Sequence, residues 1–212
     1  MKRGIFITFE GPEGCGKSTH SKLVSVYLQD LGFGCVHTRE PGGTALGEKI
    51  RKVLLGSDGI GISDLAELFL FEACRAQIVE EVIRPALKVK KIVICDRYSD
   101  ATVSYQGYGG GIPLSQIETL NKVATGNLKP DLTILLDVDT LTGLRRAKRN
   151  GADRMERKHV SYHRRVRRGY LRLAKMYPAR IKVIKVAGSI EDTQKLVRRE
   201  VKRVVQRYKR TG

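Results

Sequence analysis

The chain of 212 residues has no apolar run near the roughly 20 residues a membrane-spanning helix requires. An integral helical membrane protein is therefore excluded. Its start, Met1-Lys2-Arg3, leads straight into a short strand-like stretch over 5–10, without the longer apolar region and small-residue cleavage site of a secretory leader. The expected location is the cytoplasm. The four cysteines, Cys15, Cys35, Cys74 and Cys95, lie far apart, with no CxxC pair. That spacing excludes a disulfide framework or zinc module, and Cys35, Cys74 and Cys95 read as small buried residues of a reducing compartment. Four scattered histidines give no structural metal site.

Acidic residues are also scarce. Forty Lys and Arg oppose 22 Asp and Glu, a formal charge of +18. The imbalance is local: residues 1–106 carry 14 basic and 13 acidic residues, whereas 107–212 carry 26 and 9. A field of this kind attracts nucleotides, nucleic acid or acidic membrane surfaces. Linkers, repeats and low-complexity segments are lacking as well, so one domain over 1–212 is expected.

What is present alternates. Apolar, β-rich runs over 5–10, 35–39, 92–95, 132–138 and 181–186 read as strands. Helical periodicity fills 18–31, 44–55, 64–88 (bending before Pro85), 114–125, 140–149, 158–176 and 190–208, and the glycine-rich stretch Gly107–Gly111 reads as a loop. Strand–helix alternation predicts an α/β fold, a five-stranded mainly parallel sheet with helices on both faces. Ligands gather at the C-terminal ends of such strands.

The first strand runs directly into Gly11-Pro12-Glu13-Gly14-Cys15-Gly16-Lys17-Ser18, followed by Thr19. This fits G-x-x-x-x-G-K-[ST], and it opens a helix, as its mechanism demands. Gly14 and Gly16 allow backbone N–H groups to turn inward onto phosphate oxygens, and the helix adds its positive dipole end. Lys17 would reach the β- and γ-phosphates and the Ser18 hydroxyl would ligate Mg²⁺. The expected fold is thus that of P-loop NTPases. A guanine-reading N-K-x-D is missing, because Asn121-Lys122-Val123-Ala124 lacks the Asp. Arg97, in Asp96-Arg97-Tyr98 at another strand end, offers a planar fork to a second phosphate, and Arg39 ends a further strand and could flank it. These features together point to a small-molecule kinase.

Arg39-Glu40-Pro41-Gly42-Gly43, Phe71-Glu72-Ala73-Cys74-Arg75, Asp96-Arg97-Tyr98, Tyr105-Gln106-Gly107 and Pro130-Asp131-Leu132 follow the P-loop in order. The chain resembles the thymidylate kinase family in these motifs, over nearly its whole length. The resemblance implies a nucleoside monophosphate kinase that moves the γ-phosphoryl group of Mg-ATP onto dTMP. It implies that Phe71 stacks on thymine, that Arg75 hydrogen-bonds the base and that Gln106 lies near it. Tyr105 would sit beside the sugar, and Arg97, with Arg39, would hold the acceptor phosphate. Asp96 would lie near Mg²⁺ or its waters, and Glu13 near the 3′-hydroxyl or a metal-bound water. Residues 145–157 resemble the family's lid, with Arg149 and Arg154 as candidates to meet the γ-phosphate. Ala101, Gly110 and Asn150 depart from the family pattern. The resemblance also implies a homodimer paired through helices. Two alternatives remain: a kinase for another nucleotide or nucleoside, and a nucleic-acid-binding protein. The second lacks the aromatic interleaving such a protein would use.

Overall fold

The computed structural model describes residues 3–56, 61–147 and 153–210, the side chains of 209 and 210 excepted. Five strands form one sheet: β1 (Phe6–Glu10), β2 (Cys35–Arg39), β3 (Ile92–Asp96), β4 (Leu132–Asp137) and β5 (Ile181–Lys185). Their order is β2-β3-β1-β4-β5, and every pairing is parallel. β1 lies at the centre, so its loop emerges between the loops of β3 and β4.

Nine helices are among the described elements: α1 (Lys17–Asp30), α2 (Ala45–Leu55), α3 (Asp64–Ile78), α4 (Arg84–Lys88), α5 (Ser99–Thr102), α6 (Leu114–Thr125), α7 (Thr140–Ala147), α8 (Val160–Met176) and α9 (Ile190–Arg210). On one side of the sheet, Ile7 and Phe9 of β1 pack with Val24 and Leu28 of α1 and with Val197, Val201 and Val205 of α9. On the other, Phe6 packs with Ile78 and Leu87, while Leu135 packs with Tyr105 and with Val166 and Tyr170 of α8. The period of two in β1 thus sends alternate residues to opposite layers. It also turns Thr8 and Glu10 into the second layer, where both are fully buried.

Two stretches depart from simple helical periodicity. The expected helix over 64–88 is α3 and α4 joined by a π-helical turn, Val79–Ile83. Pro85 cannot donate and its ring crowds the preceding turn, so widening there is where a bend was anticipated. The second departure was not anticipated. α5 continues into a π-helical segment, Val103–Gly109, where glycines had suggested a loop. Those glycines serve packing: a Cβ on Gly109 would lie 2.8 Å from both Tyr162 and Val166 of α8. Low helix propensity gave way to close approach of α8.

Candidate active site

The C-terminal ends of β1, β2 and β3 open into a cleft of about 580 Å³. Thr44 caps α2 by accepting from Gly47 N, and Ser63 caps α3 by accepting from Ala66 N. α1 has no such side chain. Its N-cap is Gly16, at φ 89°, and its first-turn amides are left without a side-chain acceptor. An uncapped N-terminus at the end of the central strand is an anion site by construction. Gly14, at φ 64°, closes the loop against α7, where a Cβ would run into the Gly143 carbonyl oxygen.

Within this loop Lys17 is buried, and its ammonium donates to Gly11 O at 3.2 Å and Pro12 O at 2.9 Å. The Ser18 hydroxyl donates to the Asp96 carboxylate at the end of β3. Cys15 is fully buried, and burial raises its thiol, so it fills space and is no nucleophile.

Arg97 follows β3 at φ 72°, a left-handed conformation that non-glycine residues rarely adopt. The surroundings fix it: its N–H donates to Phe9 O at 2.9 Å, and its Nη2 donates to both oxygens of Glu13 at 2.9 Å. It also donates to Gly11 O and Tyr170 Oη, and lies 4.8 Å from the centre of the Tyr105 ring. Tyr105 Oη donates to Glu13 at 2.6 Å. Burial raises the Glu13 carboxyl, but Arg97 and Lys17 outweigh burial and bring it down to about 2. Backbone strain held in place by converging side chains is expected where a site is preorganised.

Towards the other end, Phe71, Arg75, Thr102 and Gln106 line the cleft. Arg75 is 1% exposed and saturated. It donates to Glu40 through Nε and Nη2, to Glu72, Thr102 and Asn121 through Nη1, and to Tyr98 O. Its five N–H groups thus have protein partners, while the side chain still lines the cleft. Burial raises Glu40 to about 7 against the opposing pull of Arg75.

The cleft gathers Glu13, Gly14, Gly16, Lys17, Ser18, Thr19, Arg39, Phe71, Arg75, Asp96, Arg97, Tyr105 and Gln106, all marked from sequence. Gly11 and Pro12 stand behind it as acceptors for Lys17. Arg39 pairs at its rim with Glu48 at 3.1 Å. Arg149 lies outside the described residues. Arg154 is not brought to the P-loop: it donates to Leu54 O at 2.8 Å and to Glu67 at 2.6 Å. Sequence reasoning passed over Arg51, Thr102, Arg146 and Met155, which also line the cleft. Nothing in the local sequence marks Arg51; its partial burial, and its bond to Pro41 O at 2.7 Å, depend on the turn after β2. The described residues hold no cluster of three or more metal-ligating His, Cys, Asp or Glu, and none of their helices is long and apolar enough to cross a membrane.

A phosphate loop, an arginine at the neighbouring strand end and an aromatic beyond it match the motifs singled out in the sequence. The thymidylate kinase family model matches residues 9–197. The chain belongs to the thymidylate kinase family. Among its relatives, the thymidylate kinase of Dehalococcoides mccartyi is 47% identical over 197 residues, covering 93% of this chain and 95% of the relative. That of Symbiobacterium thermophilum is 46% identical and covers 96% and 95%. The crystal structure of thymidylate kinase from Ehrlichia chaffeensis superposes with a TM-score of 0.77 at 37% identity, covering 94% of this chain and 99% of that one. A thymidylate kinase fold is therefore shared in sequence and in overall structure.

Proposed function

We propose that the chain is a dTMP kinase that transfers the γ-phosphoryl group of ATP to dTMP, giving dTDP and ADP and supplying dTTP synthesis in the cytoplasm. One observation carries this reading: Lys17 of the phosphate loop, Arg97 and Phe71 line the same cleft. That order provides for a donor triphosphate, an acceptor phosphate and a flat base. The whole chain is read as one kinase domain with a lid over about 145–157.

The acceptor phosphate is already anionic near neutral pH, so no strong general base is required. Catalysis reduces to alignment and neutralisation of a loose, in-line transition state. Lys17 and Arg97 now donate to backbone carbonyls and to Glu13. Phosphate oxygens would take over part of those donor sites. Glu13 keeps the Arg97 fork aimed and, remaining ionised, would face the sugar hydroxyl or a metal-bound water. Phe71 offers its ring face to the base and Tyr105 packs beside the sugar. Arg39 and Arg51 complete the cationic surroundings of the acceptor phosphate, and Arg146 approaches from the lid's first arm. Ser18 and Asp96 meet at the loop as hard oxygen donors, which fits Mg²⁺ held partly by water and phosphate. When bound, that ion neutralises charge on the transferring phosphates.

We also propose a homodimer. Leu46 and Val53 on α2, Leu65 and Phe69 on α3, and Val123 on α6 are exposed on helices that pack side by side. Apolar side chains grouped in this way favour self-association.

An ADP-release assay across a panel of nucleoside monophosphates and nucleosides tests the activity. dTMP should be turned over best, dUMP within roughly 10–200-fold because one methyl group separates them, and thymidine not at all. Preference for a nucleoside, or for a purine monophosphate, would overturn the reading.

A further inference from the structure

We propose that Glu67 is a positioning residue that ties the base end of the cleft to the lid's second arm, residues 153–158. Seating of an acceptor would thereby set the arm for transfer. The inference rests on the nucleotide kinase reading above.

Glu67 lies in the first turn of α3, one helical turn before Phe71, and is 2% exposed. It does not line the cleft, yet groups from two other segments converge on it. Its Oε1 accepts from Gln106 Nε2 at 2.8 Å, in the π-helical segment that also carries Tyr105. Its Oε2 accepts from Arg154 at 2.6 Å, with Lys158 at 3.6 Å. Arg154 is bound a second time, through Nε to Leu54 O near the end of α2. Lys158 lies 4.7 Å from the Tyr162 ring, and Tyr162 Oη donates to Tyr105 O at 3.1 Å. The arm is thus fastened to the segment bearing Tyr105 and Gln106 by two routes, one of them through a buried carboxylate.

Glu67, Arg154 and Lys158 do not line the cleft, whereas Gln106 and the arm residues beside Arg154 do. Asp153, Met155 and Glu156 line the cleft, and Met155 is buried. A change in Gln106 on acceptor binding therefore alters the carboxylate that seats Arg154, and with it the position of those three residues. A buried carboxylate cannot lose one partner cheaply, so the two ends respond together. Arg154 then acts through Glu67, in place of touching the γ-phosphate.

A double-mutant cycle separates these roles. Glu67→Gln keeps the shape and an acceptor for Gln106 but removes the charge that holds Arg154. Arg154→Ala attacks the pair from the lid side, where the side chain is 20% exposed, so folding does not depend on Glu67 alone. Each single variant should lower kcat for dTMP roughly 10-fold, and the double variant should lose no more than about 2-fold beyond either. Arg154→Lys should restore part of the loss. dTMP alone should slow hydrogen exchange of amides 153–158 in the wild type, and this protection should vanish in Glu67→Gln while dTMP still binds. Multiplying kcat losses would place Arg154 on the phosphate and overturn the proposal, as would unchanged kcat and protection in Glu67→Gln. If the wild type fails to turn over dTMP, the thymidylate reading itself fails, which is a separate result.

Discussion

The two ends of the cleft handle buried arginine in opposite ways. At the base end, Arg75 is closed in by Glu40, Glu72, Thr102, Asn121 and Tyr98 O, with its side chain 1% exposed. At the phosphate end, Arg97 is 17% exposed and faces one carboxylate, that of Glu13, while Lys17 donates to two backbone carbonyls and to the Cys15 sulfur. The first arrangement is a finished network that shapes a wall. The second consists of cations whose carbonyl partners an incoming phosphate can displace while Glu13 keeps Arg97 in place. On the proposed function, the same residue type serves architecture in one place and substrate charge in the other, and the partners decide which.

Mutation of each end should separate activity from stability. Lys17→Ala removes two hydrogen bonds to carbonyls that already belong to a turn. Turnover should fall by roughly 10³–10⁵, with the melting temperature nearly unchanged. A variant that keeps near-normal turnover would remove the distinction between the two ends. Arg75→Ala should do the reverse in kind. It strands Glu40 and Glu72 in the interior, where Glu40 Oε1 and Glu72 Oε2 already lack partners. Unfolding free energy should drop by about 3–5 kcal/mol, measured by denaturant titration. A loss confined to dTMP affinity, without loss of stability, would make Arg75 a base reader after all.

Arg97→Lys sharpens the comparison further. Lysine keeps the charge but loses the planar group whose Nη2 holds Glu13 while Nη1 holds Gly11 O, and its point charge cannot hold two phosphate oxygens in one plane. A drop of roughly 10–100-fold in kcat is expected, with a smaller change in ATP KM. An equal substitution by lysine without effect would show that charge alone matters at this end.

How much of this was legible in the sequence follows from the range of each signal. The P-loop could be read because its mechanism is local: strand, glycine turn, lysine and helix start lie in one continuous segment. The parallel sheet could be read from alternation, since the central strands β1, β3 and β4 are mainly apolar runs set between helical patterns. Arg97 was visible as a fork at a strand end, but its clasp with Glu13, 84 positions away, was not. Arg75 and Arg154 showed the same residue type on helical or lid segments, and nothing in their neighbours along the chain revealed Glu40 or Glu67 as partners. The helical course of 99–109 was hidden because Gly107 and Gly109 lower propensity for reasons that lie in α6 and α8. Contacts between distant segments decide these cases, and a single sequence does not spell them out.

The smallest expected effect tests two carboxylates at the phosphate end, Glu10 and Glu13, three positions apart. Burial, helped by Asp100, raises Glu10 to about 8 although Arg97 pulls it down; Tyr170 Oη and Tyr98 N donate to it. Glu13, dominated by Arg97 and Lys17, sits at about 2. Near pH 7 the native state therefore holds a proton on Glu10 that the unfolded chain has released. Its stabilising contribution is complete below the ordinary carboxylate range and is lost as pH rises through about 8. Glu13 has the opposite sign: its contribution is present above the ordinary carboxylate range and lost as pH falls through about 2. Between pH 7 and 8 the wild type should lose about 1 kcal/mol relative to Glu10→Gln, with the difference levelling off above pH 9. Parallel pH–stability curves for the two proteins would show that Glu10 is ionised beneath Arg97 like its neighbour, and the contrast between the two carboxylates would disappear.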